Sequence, residues 1–309
     1  MKVAFLGIGL MGLPMASNLL QAGFDLTVWN RTKAKAEVLC SSGARIVDSP
    51  AEAVSGADFI ISMLENGPIV DQVLLHQAQL SDYKKGATVI DMSSIPPEQA
   101  KQHSRLFCDA GINYLDAPVS GGTVGAQNAS LAIMAGGNSS VFDLCQPLFN
   151  TLGKATYIGP AGSGQLAKCA NQAIVGITIG AVSEALLLAA EGGANPEAVR
   201  EALMGGFASS RILELHGQRM IDREFTPGAT SRVQLKDLRT ILDTARAQQL
   251  TLPLAQQTHD QYLELVNKGF EEVDHSGLLL QLELLNGDRR LSDKRTKSPA
   301  HTEMEDSNA

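Results

Sequence analysis

Only 5% of the 309 residues are aromatic, with a single tryptophan, and cysteine occurs four times. So low an aromatic content is common in α/β enzymes rich in Ala, Gly and Leu. Cys40, Cys108, Cys145 and Cys169 form no Cys-x-x-Cys pair and read as buried free thiols in a reducing cytoplasm. The six histidines show neither a His-Glu-x-x-His sequence nor clustered ligand spacing, so no structural metal is expected. Positive charge is in deficit, 25 Lys and Arg against 33 Asp and Glu, a net charge of −8. That balance argues against nucleic acid or an anionic membrane as the main partner. Lys2 already belongs to the first apolar run, so no signal peptide is expected and the protein reads as soluble and cytoplasmic.

What is present is 44% hydrophobic residues on a chain long enough for two domains. The opening stretch, KVAFLGIGLMGLPMASNLL, runs from an apolar strand into Gly7-x-Gly9-x-x-Gly12 and straight into a helix. In that setting Gly7 permits a tight turn, Gly9 lets backbone approach a pyrophosphate, and Gly12 lets the helix pack against the strand. Phosphates then rest on the free N–H groups and positive end of the helix. Between a strand and a helix at the start of an α/β pattern, the motif predicts dinucleotide binding through Gly7, Ile8, Gly9, Leu10, Met11 and Gly12.

The first half alternates apolar strand-like runs with helical ones. Strands are predicted at 2–7, 26–30, 58–64, 87–92, 112–117, 131–136 and 156–159. Helices are predicted at 32–41, 50–54, 70–74 and 97–110 between them. This alternation implies a mainly parallel sheet whose ligands bind beyond the carboxyl ends of the strands. From residue 164 to 191 the chain reads as one long helix of roughly 40 Å at 1.5 Å per residue, a connector between domains. Lys168, Asn171, Gln172 and Glu184 interrupt its apolar surface, against a membrane span. Only helical signals follow, at 196–204, 211–222, 235–248, 253–268 and 276–285. The expected division is therefore 1–162 for the dinucleotide domain and 163–287 for an all-α domain, with 288–309 a disordered polar tail.

Several loops carry candidate chemistry. Asn30 stands where NAD-binding chains usually place an acidic residue for the ribose 2′-OH, and Arg31 and Thr32 follow it. A guanidinium there suits a 2′-phosphate, which favours NADP over NAD, although NAD can bind without an acidic anchor. Met63 and Leu64 end the third strand and are expected over the adenine or the nicotinamide ribose. Ser93 and Ser94 lie in a strand-to-helix loop, either meeting the cofactor or acting as a plain N-cap. Asp116-Ala-Pro-Val-Ser120-Gly121-Gly122-Thr123 makes a small anion or hydroxyl site at a strand end.

On the long helix Lys168, Asn171 and Gln172 share one face. A lysine there is either a surface group or one that faces a cleft, poised for proton transfer to a substrate oxygen. Lys236, in LKDL, is either an exposed partner of Asp237 or a residue reaching the cofactor. Glu184 and Glu191 read either as acid/base residues or, in preference, as marks of a polar side or a subunit contact, and His275 reads as a helix start rather than a general base.

The chain resembles the β-hydroxyacid dehydrogenases, the family of 3-hydroxyisobutyrate dehydrogenase. The resemblance covers nearly all of residues 1–286. It rests on GIGLMGLPMASNL, DAPVSGG at 116–122, GSGQLAKCANQ at 162–172 and LKDL at 235–238. It implies a Rossmann domain, an all-α domain entered through the long helix, and dimers or tetramers built through the helical part. It also implies Lys168 as catalytic acid/base and Ser120, Gly121 and Gly122 as substrate-binding. Asn171 or Gln172 would orient substrate, with Lys236 beside the nicotinamide.

Residues 199–228 look most like the branch that reduces tartronate semialdehyde (2-hydroxy-3-oxopropionate) to glycerate. The stretch WNRT at 29–32 looks like the NADP-preferring branches, and Glu65 stands where the family commonly has proline. The implied function is an NAD(P)-dependent oxidoreductase interconverting a small 3-hydroxy acid and its semialdehyde. Alternatives are 3-hydroxyisobutyrate or threonate dehydrogenase and glyoxylate/succinic semialdehyde reductase. Relatives that reduce imines usually replace the lysine, and a non-catalytic nucleotide-binding module would be expected to lose Lys168 or Asn171.

Overall fold

The strand–helix alternation of the first half closes into one nine-stranded sheet. The computed structural model describes residues 1–287, 289–294 and 296. The strands are β1 (Lys2–Leu6), β2 (Asp25–Trp29), β3 (Arg45–Ile46), β4 (Phe59–Ser62), β5 (Thr88–Asp91), β6 (Asn113–Asp116), β7 (Val119–Ser120), β8 (Leu131–Gly137) and β9 (Gly153–Gly159). Their order is β3-β2-β1-β4-β5-β6-β8-β7, with β9 on β8. Pairing is parallel from β3 through β6; β8 then runs antiparallel to β6 and β7 and parallel to β9. The chain reverses its direction of travel across the sheet between β1 and β4, the switch point where such sheets open a ligand crevice.

Apolar strands buried on both faces explain the run-like sequence pattern. Successive side chains of β1 point to opposite sides. Val3 and Phe5 join Val28, Ile61, Ile90 and Leu115 in one core, with Met15 and Leu19 of α1 (Gly12–Gln21). Ala4 and Leu6 join Ile60, Val89 and Tyr114 in the other. The remaining helices of this half are α2 (Ala34–Glu37), α3 (Pro50–Val54), α4 (Gly67–Asp71), α5 (Pro97–Asp109), α6 (Gly122–Gln127), α7 (Ser139–Leu144) and α8 (Gln146–Leu152). Ala100 and Phe107 of α5 pack into the second core.

Contacts divide the chain into two units, Met1–Lys168 and Cys169–Ala309, inside the 29-residue helix α9 (Ser163–Glu191). The second unit is helical: α10 (Pro196–Met204), α11 (Arg211–Asp222), α12 (Ser231–Ala247), α13 (Pro253–Asn267) and α14 (Leu278–Leu285). By length and composition α9 is apolar enough to cross a membrane, with mean hydropathy 2.0 over its best 18 residues. Ile179, Val182, Leu186 and Leu187 of α9 nevertheless sit in the helical core with Leu238, Tyr262 and Leu279.

The structure departs from the sequence expectations in short elements. The strands β3 and β7 span two residues each and leave no periodic trace. The helix α6 begins in the Gly121-Gly122 turn, where glycine hides it, and α7 and α8 are under two turns each. Residues 70–74 straddle the end of α4 and a wider helical turn, Gln72–Gln77. The helix α12 starts at Ser231 because Thr230 caps it and the polar Ser231 and Gln234 are buried, which reverses the usual reading of such residues.

Part of the expected disordered tail is also packed. Leu291 is only 3% exposed and its N–H donates to Glu283 Oε1 at 2.9 Å. The Ser292 hydroxyl donates to the Ile221 carbonyl at 2.8 Å, and Arg223 Nε to Thr296 Oγ1 at 2.8 Å. One leucine, a few hydrogen bonds and the ion pairs of Arg289 with Glu191 and of Lys294 with Glu197 and Asp222 hold this charged stretch, signals too sparse to register as an element. Of the expected tail, residues 288, 295 and 297–309 lie outside the described residues.

Beneath that segment Arg223 donates to both oxygens of Glu283 at 2.7 and 2.9 Å, with both side chains buried. Glu283→Ala leaves a buried guanidinium unpaired and is expected to cost about 3–5 kcal/mol. The urea midpoint of the helical unit, followed by circular dichroism, checks this; a loss below about 1 kcal/mol would mean that water readily replaces the carboxylate.

Candidate active site

The glycine turn follows β1 at the switch point. Gly7 has φ +104°, and a Cβ there would lie 2.3 Å from the Met63 carbonyl oxygen. At Gly12 a Cβ would lie 1.9 Å from the Gly7 carbonyl oxygen, so α1 can sit this close to the turn only without a side chain. Gly9 differs, because nothing lies within 4 Å of where its Cβ would stand. The protein's own packing does not demand glycine at 9, and the open side is the room a pyrophosphate needs to approach backbone. No side chain caps α1, whereas Ser49, Asn66, Ser210 and Thr230 cap other helices. The turn therefore fits a dinucleotide phosphate group. Ile8 is buried, Leu10 is 74% exposed, and Met11 is half-buried against the core.

Asn30 does something the sequence did not reveal. Its Oδ1 accepts the Ile8 N–H at 2.9 Å and its Nδ2 donates to the Thr32 carbonyl at 2.9 Å. The amide ties the glycine turn to the loop after β2. Arg31 and Thr32 are exposed beside it. Met63 and Leu64 are half-buried just past β4, where Met63 N–H donates to the Leu6 carbonyl at 2.9 Å.

The buried Ser93 accepts the Leu64 N–H at 3.0 Å and donates its own N–H to Asp91 at 3.0 Å, so it braces two loops. Ser94 is half-buried, and the N-cap of α5 is Pro96, which leaves Ser94 no capping role there.

At the end of β6 the segment 116–122 meets the start of α9. Asp116 is fully buried and accepts the N–H groups of Gly162 at 2.7 Å and Gln165 at 2.9 Å. Burial pushes its carboxyl up to about 6, against the pull of those hydrogen bonds. Gln165 is buried as well, its Nε2 donating to the Ser93 carbonyl at 2.8 Å and its Oε1 accepting the Ile95 N–H at 3.2 Å. Within the same unit Lys168 Nζ donates to the Val119 carbonyl at 2.8 Å, next to the half-buried Ser120 and the exposed Gly121 and Gly122. The structure thus brings Lys168 to the DAPVSGG segment.

Behind this loop lies a buried polar chain absent from the sequence reading. Asp91 accepts from Ser62 Oγ at 2.8 Å and from the Tyr114 hydroxyl at 3.3 Å. His103 Nε2 lies 2.5 Å from Asp71 Oδ1. Desolvation raises the Asp91 carboxyl and the Tyr114 hydroxyl alike.

In the helical unit Asn171 Nδ2 donates to Gln172 Oε1 at 2.9 Å, and Gln172 Nε2 to Asp237 Oδ2 at 2.5 Å. Lys236 Nζ is 3.1 Å from Asp237 Oδ1, and Gln234 Nε2 donates to the Gln172 carbonyl at 3.2 Å. Gln172 and Lys236 therefore meet one buried carboxylate, Asp237, and Asn171 is linked to it through Gln172.

The fold also groups His216, Asp274 and His275, whose ligand-type atoms lie within 4.8 Å of one another. Asp274 is already occupied by the N–H groups of Gly228 and Ser276 and the Ser276 hydroxyl, with Arg219 at 3.7 Å. His275 opens a 3₁₀ turn capped by Asp274, and burial pushes its imidazole down to about 4. Residues 58 positions apart in sequence gave no spacing signal for the group. Glu191 pairs with Arg289, and Glu184 is exposed.

Comparison with known proteins agrees with this geometry. Residues 2–159 match the NAD binding domain of 6-phosphogluconate dehydrogenase, and 162–282 match the NAD-binding domain of NADP-dependent 3-hydroxyisobutyrate dehydrogenase. A 2-hydroxy-3-oxopropionate reductase of Escherichia coli is 45% identical over 92% of this chain and 98% of its own. A probable 3-hydroxyisobutyrate dehydrogenase-like protein of Arabidopsis thaliana is 35% identical over 92% and 86%. The Mycobacterium tuberculosis 3-hydroxyisobutyrate dehydrogenase, solved with L-serine, superposes with TM-score 0.84 at 29% identity over 91% and 98%. Glycine turn, two-unit architecture and matches along nearly the whole chain converge: it belongs to the 3-hydroxyisobutyrate dehydrogenase family of NAD(P)-dependent oxidoreductases acting on hydroxy acids.

Proposed function

We propose that this enzyme reduces 2-hydroxy-3-oxopropionate to glycerate, with Lys168 as the general acid. The observation that carries the chemistry is the Lys168 ammonium held 2.8 Å from the Val119 carbonyl, beside Ser120 and the Gly121–Gly122 turn. The 45% identity to the Escherichia coli reductase supports the substrate. When bound, the nicotinamide supplies the hydride. Lys168 gives a proton to the substrate oxygen as negative charge builds on it, and in the reverse direction neutral Lys168 takes the hydroxyl proton. The Val119 carbonyl engages one of the three ammonium donors and so aims the group. Ser120 and the N–H groups of Gly121 and Gly122 hold the carboxylate. Asn171, three residues along α9 from Lys168, and Gln172 orient the hydroxyl.

The cofactor rests on Gly7, Ile8, Gly9, Leu10, Met11 and Gly12. Met63, Leu64 and Ser94 would line it, and Lys236 would act at the nicotinamide. Arg31 and Thr32 hold a 2′-phosphate, with Asn30 supporting them through the Ile8 and Thr32 backbone, so NADPH is the preferred form. A homodimer or homotetramer in the cytoplasm completes the reading. Ile174 and Leu188 project from α9 with 67% and 77% of their surface exposed, supporting an apolar contact with a second copy. Light scattering is expected to give a dimer or tetramer, and a monomer at micromolar concentration would refute it.

Lys168→Ala is expected to leave NADPH binding intact and to lower kcat by about 10²–10⁴. Retention of activity within a fewfold of wild type, measured as NADPH oxidation, would remove the acid role. In a panel of 2-hydroxy-3-oxopropionate, glyoxylate, succinic semialdehyde, methylmalonate semialdehyde and threonate, the first is expected to give the highest kcat/KM. NADPH is expected to outperform NADH. A tenfold preference for another substrate, or for NADH, overturns that part of the proposal.

A further inference from the structure

Asp116 is an unusual anion. Its carboxylate is wholly buried, and among the described residues no lysine, arginine or histidine pairs with it. Its two oxygens meet the backbone N–H groups of Gly162 and Gln165, which bracket the first turn of α9. The countercharge is the positive end of a 29-residue helix. Neighbouring backbone is pared back to admit it. At Gly164 a Cβ would lie 2.5 Å from the Asp116 carbonyl oxygen and 2.9 Å from its Oδ2, and at Gly136 one would lie 2.8 Å from its Oδ1.

Three residues after Asp116, across the stiff Pro118, the same segment meets α9 again at Lys168 through the Val119 carbonyl. Between these two grips Gln165 fastens the helix to Ser93 and Ile95. The ammonium position thus depends on how the first turn of α9 is seated. Resting on the acid role assigned to Lys168, we propose that Asp116 is a positioning residue: its ionised carboxylate seats the first turn of α9 and so holds Lys168 beside Ser120.

The Gly162 and Gln165 N–H groups hold better to the ionised carboxylate, and burial on β6 sets its midpoint at about 6, so with the carboxyl still buried both bonds, and the seating they give, weaken as pH falls through about 6. The titratable groups facing Asp116 are Asp91 on β5, its register partner, and Tyr114 two residues back on β6 with His103 of α5 behind it. On α9 the first titratable residue is Lys168, whose ammonium is turned to the Val119 carbonyl. Asp91→Asn is therefore the necessary control.

The test compares kcat against pH from 5 to 8 for wild type, Asp116→Asn and Asp91→Asn, with NADPH and substrate saturating so that the cofactor's own phosphate is not read. NADPH affinity and labelling of Lys168 by an amine-selective reagent, read by peptide mass spectrometry, accompany it. Wild type is expected to lose turnover as pH falls through about 6. Asp116→Asn is expected to turn over about tenfold more slowly at pH 7, to show no acidic limb, to bind NADPH as wild type does, and to label severalfold differently at Lys168. Asp91→Asn keeps the limb. A wild-type profile flat to pH 5, a limb that persists in Asp116→Asn, or one that vanishes only in Asp91→Asn overturns the proposal. If Asp116→Asn does not fold, the wild-type profile and the Asp91→Asn control decide. Should Lys168→Ala stay active, it is the acid assignment that fails, and the labelling comparison still reads whether Asp116 seats that lysine.

Discussion

Parallel register is the constraint on which the first unit depends. Leu6 pairs with Ser62, Ser62 with Asp91, and Asp91 with Asp116, so the carboxyl ends of β1, β4, β5 and β6 finish in one row. A slip of one residue would turn Ser62, Asp91 and Asp116 to the other face of the sheet. Every loop of interest leaves from this row: the glycine turn after Leu6, Met63–Leu64 after Ser62, Ser93–Ser94 after Asp91, and the DAPVSGG segment from Asp116. The loops are then tied to one another rather than left to find their places. Asn30 holds Ile8, Ser93 holds Leu64, and Gln165 holds Ser93 and Ile95.

Much of this was legible because it is local. The strand ends, the glycine turn and the long helix each declare themselves within about a dozen residues, and helices such as 50–54 and 211–222 fall at their predicted bounds. Lys168 stood out because a lysine among Ala, Leu and Ile needs a polar destination, which the Val119 carbonyl supplies. What stayed hidden is chemistry between residues distant in sequence. Gln165 carries no signal of its own in the sequence, yet it joins loops 70 and more positions away. Asn30 matched the position of a ribose contact, but its amide is engaged with backbone. Asp237 was read only as a neighbour of Lys236, although it is buried and gathers Gln172 as well.

The two units use opposite routes to polarity. In the sheet unit, burial makes Asp91 and Asp116 easier to protonate, and the backbone N–H groups and hydroxyls that meet them offset it only in part. In the helical unit Asp274 is met by His216, Ser276 and Arg219 and is held well below the usual carboxylate range. The difference follows from geometry. The ends of parallel strands and the start of a helix offer N–H groups without full charges, whereas side chains on crossing helices can bring a cation to an anion.

The last helix, α14, ends at Leu285, and an eye trained on secondary structure would place the edge of the fold there. The physical edge lies further on. Leu291 closes over Glu283, Ser292 takes up the Ile221 carbonyl, and Thr296 receives Arg223 Nε. A chain trimmed at the helix end would keep every regular element among the described residues yet open the buried Arg223 to solvent. Affinity tags and fusion joints placed directly after α14 carry the same liability, since they compete with the native residues for that small enclosure.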